Sequence, residues 1–128
     1  MEGKMMERLH FTTRVLGPAV AYRLEKRQVT QTLRSESDSI TNAILLGRVS
    51  AGDHLEVFLD RIFVGHAELV SMDTVTWEAL GIRDARRGGF DTLADLSEAL
   101  KRAGYRFKPL NQYELYRIHF TWLEEACA

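Results

Sequence analysis

Apolar and polar residues alternate in five stretches of the chain, and their period separates strands from helices. In "RLHFTT", Arg8 to Thr13, Leu9 and Phe11 fall on one face of an extended segment, which reads as a first strand. "VTQTLR" is rich in β-branched residues and alternates again, with Val29, Gln31 and Leu33 on one side and Thr30, Thr32 and Arg34 on a side expected to be wet. "HLEVFLD" sets Leu55, Val57 and Leu59 on one face, and "IFVGHAELV" continues the pattern after a tight turn at Asp60 and Arg61, predicting an antiparallel hairpin. Gly65 inside its second strand marks a bulge or a close approach of another backbone. A long final strand is read from "YELYRIHFTWL", with Tyr116, Ile118, Phe120 and Trp122 on one side.

Helical spacing is clearest in "TLADLSEALKRAG". Leu93, Leu96 and Leu100 form its stripe, Thr92 and Asp95 occupy capping-box positions, and Gly104 stands where a left-handed terminus is wanted. A shorter helix is predicted from Pro18 to about Arg27, and "DTVTWEAL" reads as a short helical turn. Ser35 to Asn42 carries too little apolar surface for a core element and is expected to be a loop, as is the glycine-bearing "GIRDARRGG". The sum is an α+β domain, a small curved β-barrel of about five or six mostly antiparallel strands with two or three flanking helices, without strand–helix–strand alternation.

Length and composition sharpen this picture. At 128 residues, with 45% hydrophobic and 27% charged positions, residues 1–128 form a single packed domain. A formal net charge of -1 supplies no global positive field, so any site for a polyanion must be local. Cys127 is the lone cysteine; no intrachain disulfide can form, and a reducing cytoplasmic setting is expected. No apolar run approaches the ~20 residues that cross a bilayer, and "MEGKMMERLHF" lacks the apolar core of a signal peptide. His10, His54, His66 and His119 have no metal-ligand spacing, so neither a metal nor a cofactor is expected.

Taken in order, "TQTLRSES", "AGDHLEVFLDRIFVGHAELV" and "ARRGGFDTLADLSEAL" resemble the ASCH domain family, whose fold is similar to the PUA domains of RNA-modifying enzymes. The resemblance runs from about Leu9 to Trp122. It rests on a T-x-T-x-R strand after the first helix, a "GD" turn opening a strand that leads to a G-x-A-x-[LIV] strand, and a late "GF" before an amphipathic helix and an aromatic final strand. It implies a PUA-like β-barrel with a cleft beside the T-x-T-x-R strand that takes RNA or a nucleoside. One branch of the family hydrolyses the amide of acetylated cytidine with a Lys-x-x-Thr motif and a glutamate. Here Thr32 matches the threonine, but the lysine position is Val29 and the glutamate position falls near Gly88. Amide hydrolysis needs an activated nucleophile and a proton donor for the departing amine; Thr32 alone has no base, and Lys26 lies three residues from the place required.

The expected role is therefore a binding module without catalytic residues, holding RNA or a nucleotide or nucleoside. The alternatives are a hydrolase with displaced catalytic groups, a ribonuclease, or a protein-interaction domain on the same barrel. Candidate ligand contacts are Lys26, Arg27, Thr30, Gln31, Thr32, Arg34, Arg86, Arg87 and Gly88. A guanidinium at Arg34 can grip phosphate while neighbouring hydroxyls donate to other oxygens. Arg83, Arg86 and Arg87 stand beside paired glycines that allow close backbone approach. Tyr22, Tyr105 and Tyr113 are of a type that stacks on bases, although half-buried packing is their commoner use.

Overall fold

A computed structural model describes residues 6–106 and 114–124. Five strands form one sheet: β1 (Glu7–Phe11), β2 (Gln31–Arg34), β3 (His54–Leu59), β4 (Ile62–Thr76) and β5 (Glu114–Trp122), in the spatial order β1-β3-β4-β5-β2. β1 runs parallel to β3 and every other pairing is antiparallel. Register shifts between Val57 and Phe58 and between Leu69 and Ser71 bend the long β4. Bulges increase local twist, and the sheet curls into a half-barrel. Leu9, Leu55, Val57, Leu69, Ile118 and Phe120 turn into a single hydrophobic core.

Five α-helices accompany the sheet among the described residues: α1 (Thr13–Leu16), α2 (Pro18–Glu25), α3 (Ser39–Leu45), α4 (Ile82–Arg87) and α5 (Leu93–Arg102). None is long and apolar enough to cross a membrane. α5 ends as its sequence demands, with Thr92 Oγ1 accepting from the Asp95 N–H and Gly104 at φ 100°. Its stripe is rotated from the expected one, since Leu96, Ala99 and Leu100 are buried while Leu93 is exposed.

Two segments expected to be loops are helical. The polar stretch after β2 breaks at Asp38, whose carboxylate caps the Ile40 N–H; Ile40, Thr41 and Ala43 then form a buried face of α3 that extends into "AILL". The run "IRDARR" is α4, opened by the Asp84 carboxylate accepting from the Gly81 N–H at 3.0 Å. The hairpin continues beyond its predicted end, because β4 runs to Thr76 and only Trp77–Ala79 makes the helical turn. At Gly65 the close neighbour is the Arg27 guanidinium, about 3.0 Å from where a β-carbon would sit. Tyr113 and Cys127 lie outside the described residues.

Gly89 and Gly104 both hold positive φ, but their surroundings differ. A β-carbon at Gly89 would meet Val29 Cγ2 at 2.8 Å and Val20 Cγ1 at 3.2 Å, whereas nothing lies near one at Gly104. Gly89→Ala therefore combines a left-handed backbone cost with overpacking and is expected to lower stability by about 2–4 kcal/mol. Gly104→Ala should cost only about 1 kcal/mol. Urea unfolding of the two variants against the parent checks the ranking.

Candidate functional site

β2 lies at one edge of the sheet, hydrogen-bonded to β5 alone, with Gln31 opposite His119, Thr32 opposite Ile118 and Leu33 opposite Arg117. Beyond that free edge the chain lines a partly open cavity of about 320 Å³. Gln31, Thr32 and Arg34 form one wall; Phe11, Val15 and Leu16 come from the β1–α1 corner, Phe90, Leu96 and Leu100 from α5 and its approach, with Asp38, Asp84 and Tyr105 at other points. Polar groups are thus concentrated at β2 while the remaining walls are largely apolar, the usual composition of a small-molecule site.

The face of β2 expected to be wet is not. Thr32 is buried and the Arg34 side chain is only 12% exposed, because it is tied down on all sides. Its Nε donates to Thr32 Oγ1 at 2.9 Å, its Nη2 to the His10 carbonyl at 2.7 Å and its Nη1 to Asp38 at 3.3 Å, while the guanidinium carbon lies 4.8 Å from the centre of the Phe11 ring. Cation–π contact and charge-assisted bonds lock Arg34 as a brace between β2, β1 and the start of α3.

A second brace meets the cavity at Gln31 and Asp84. Asp84 is buried, and its Oδ1 accepts from Gln31 Nε2 at 3.0 Å and from Arg117 Nη1 at 2.9 Å, while Oδ2 takes the Gly81 N–H. Arg117 in turn grips Asp73 through Nε and Nη2 at 3.0 and 2.7 Å. One carboxylate thereby joins α4, β2 and β5. The Gln31 amide is oriented by this contact, since only its NH₂ can donate to a carboxylate. Its Oε1 is buried with no partner.

Of the expected contacts, the structure brings Gln31, Thr32, Arg34 and Gly88 together around the cavity. Lys26, Arg27, Thr30, Arg86 and Arg87 are not among its lining residues. Lys26 sits 5.3 Å from the Tyr22 ring centre, and Arg27 donates to the Val64 carbonyl and covers Gly65. Thr30 is held by its backbone, giving its N–H to the Arg87 carbonyl and accepting from Phe120. Arg83, Arg86 and Arg87 are exposed on α4. Tyr105 lines the cavity, and its hydroxyl accepts from the Ser35 N–H at 3.0 Å. Val29, at the position of the family's lysine, is buried, with its side chain against Gly89 and its carbonyl accepting from the Trp122 indole. Asp84 and Arg117 were not among the expected contacts; the one local sign of Asp84 is its place three residues after Gly81, where a carboxylate can cap a helix.

No family model matches the chain, and no curated protein does. Solved structures do match. An ASCH domain from Lactobacillus crispatus superposes with a TM-score of 0.66 at 16% identity, covering 91% of this chain and 79% of that one. The chain has the fold of ASCH domains. A DUF984 protein from Enterococcus faecalis is similar as well, with a TM-score of 0.65 at 14% identity over 93% of this chain and 81% of that one. An ASCH protein from Zymomonas mobilis gives a TM-score of 0.51 at 11% identity over 89% and 66%. In this ASCH fold the cavity sits beside the T-x-T-x-R strand, with Asp84 rather than a glutamate at Gly88 as its inner carboxylate.

The electrostatics of the braces set the pH response. Burial raises the Asp84 carboxyl, but hydrogen bonds from Gly81, Gln31 and Arg117 outweigh it and leave the group below its usual range. Asp73 is also lowered, chiefly by the Arg117 hydrogen bonds. His119 is lowered by burial and then by the neighbouring Arg87. All three groups bind protons more readily in the unfolded chain, so stability falls with falling pH. His119 contributes as pH drops below the ordinary histidine value of 6.5, and the two carboxyls contribute below the ordinary aspartate value of 3.8. Thermal melts from pH 7.5 to 3 should therefore show a decline in two stages, and His119→Gln should remove the upper one. Asp84→Ala, which strands part of Arg117 and Gln31, should cost about 3 kcal/mol at neutral pH, read by chemical unfolding.

Proposed function

We propose that this protein binds RNA or a nucleotide or nucleoside, with the base seated in the cavity beside β2, and that it does not turn the ligand over. The observation that carries the reading is the cavity itself. Its volume of about 320 Å³ suits a small planar ligand, its side walls offer Phe11, Phe90 and Tyr105, and its polar groups converge on one wall at Gln31 and Thr32. Aromatic and apolar surfaces hold base faces, while amide and hydroxyl groups read base edges.

The absence of turnover follows from how the charged groups are used. Thr32 Oγ1 already accepts from Arg34, and it has no adjacent base to activate it. Asp84 holds three hydrogen bonds and is kept ionised, which removes it as a proton donor near neutral pH. No lysine among the described residues lines the cavity. Arg34, fully braced, contributes shape rather than a phosphate clamp. Arg86 and Arg87, exposed two residues and one residue before the cavity-lining Gly88, are better placed to meet a phosphate outside the cavity.

Titration of nucleosides, nucleotides and short single-stranded RNA, followed by backbone amide shifts, tests the proposal. Shifts are expected to centre on residues 31–34, 88–90 and 96–105. Ala103→Trp, at an exposed position lining the cavity, should abolish binding of every ligand without loss of the fold. Arg86→Ala with Arg87→Ala should weaken RNA and nucleotides several-fold, flatten their salt dependence and leave nucleosides unaffected. Acetylcytidine incubated with the protein should remain intact. Binding with shifts confined to another surface would refute the reading.

A further inference from the structure

Burial alternates along β1, β3 and the start of β4, and the side chains turned away from the core form two cross-strand rows on the outer face of the sheet. One row is His10, Phe58 and Phe63, the other Arg8, Glu56 and His66, each residue opposite the next across the ladder. The rings make one chain of contacts: centroids lie 5.3 Å apart for His10 and Phe58, 5.7 Å for Phe58 and Phe63, and 5.0 Å for Phe63 and His66. The Arg8 guanidinium carbon stands 5.1 Å from the Phe58 ring centre. Cross-strand ring pairs stabilise a sheet, which accounts for the half-buried Phe58. It does not account for Phe63, which leaves 46% of its surface in water beside the still more exposed Ile62. A contiguous apolar patch rimmed by polar groups marks a contact surface.

The chemistry of the patch selects its partner. Four of the six side chains are planar rings, a surface on which bases stack whatever their identity. The one carboxylate among them, Glu56, is engaged by Arg8 at 3.3 Å, and Arg61 is exposed two residues before Phe63, so cations border the rings. His10 is also one of the residues around the cavity, which makes the row continuous with it. We infer that the outer face of β1, β3 and β4 is a second binding surface, on which single-stranded RNA stacks the bases that flank the one in the cavity, with Phe63 as the main platform and His10 as the link. This rests on the RNA reading of the cavity and extends it, since the partner then has several unpaired nucleotides. Stacking on ring faces adds affinity without choosing among bases, so selection stays with the cavity.

Calorimetric titration of hexauridylate and hexaadenylate, each beside its nucleoside monophosphate, provides the test. The parent protein should bind a hexamer about tenfold or more tightly than the monophosphate. Phe63→Ala, exposed and outside the cavity, should lose most of that advantage and leave the monophosphates unaffected. Phe63→Trp should retain it, whereas Phe63→Leu, apolar but not planar, should not; that contrast separates stacking from general apolar docking. In the parent, backbone amides of residues 8–10, 56–58 and 61–66 should shift with the hexamers and not with the monophosphates. If a hexamer binds no more tightly than its monophosphate, or binds Phe63→Leu as tightly as Phe63→Trp, the inference is overturned and the cavity reading stands. Self-association of the parent that Phe63→Ala abolishes would assign the face to a second copy and overturn the inference as well. Shifts confined to the outer face would support it and sink the cavity reading; if nothing binds, both fall.

Discussion

The structure turns on a single buried carboxylate. Asp84 ties the first turn of α4, the edge strand β2 and, through Arg117, the strand β5 into one unit. A buried ion is costly to desolvate and is retained only where hydrogen bonds satisfy its lone pairs. Here three donors converge, the local Gly81 N–H and the distant side chains of Gln31 and Arg117. The consequence for shape is that β2, a four-residue edge strand with one hydrogen-bonded neighbour, is pinned from its far side as well. Without that support the wall of the cavity would be a short ribbon prone to fraying.

A second, cationic brace mirrors the first. Arg34 reaches the opposite way, to the His10 carbonyl and Asp38, with Phe11 beneath it. Between the two braces lie Gln31 and Thr32, buried polar groups on the cavity wall. Their positions are held by the charged groups of Arg34 and Asp84, so this wall of the cavity is set by the fold itself.

The parts of the fold that depend on local periodicity were legible in the chain. Leu55, Val57 and Leu59 announce a half-buried strand, and the Thr92 cap with Gly104 brackets α5 without reference to the rest of the molecule. The helices α3 and α4 were not legible, since each is nucleated by an aspartate cap and becomes worthwhile only when Ile40 and Ala43, or Asp84 and Ala85, find buried surroundings elsewhere. The same divide runs through the site. Gln31, Thr32, Arg34 and Gly88 could be named from one motif and its resemblance. The meeting of Asp84 with Gln31 and Arg117 joins positions 53 and 33 residues apart, and no spacing rule reports on a contact of that kind. Nor does composition distinguish a cation that braces a strand from one left on an exposed helix face, which is why Arg34 and Arg27 read the same as Arg86 and Arg87.

The turn between β3 and β4 has a wider reach than its two residues imply. Asp60 and Arg61 both hold positive φ, at 50° and 69°, as a two-residue hairpin of this kind requires. Neither is a glycine, and the conformation is held from outside: the Asp60 N–H donates to the Phe11 carbonyl, and its carboxylate accepts from the Thr13 N–H and hydroxyl. The hairpin tip therefore serves as the missing cap of α1, whose own Thr12 makes no such bond and whose residues Arg14, Val15 and Leu16 line the cavity. For anyone grafting a peptide tag or a reporter domain into this scaffold, that tip is the wrong place, exposed though it is. The bend at Gly47, where an added β-carbon would meet nothing within 4 Å, offers an insertion point that leaves the chamber wall seated.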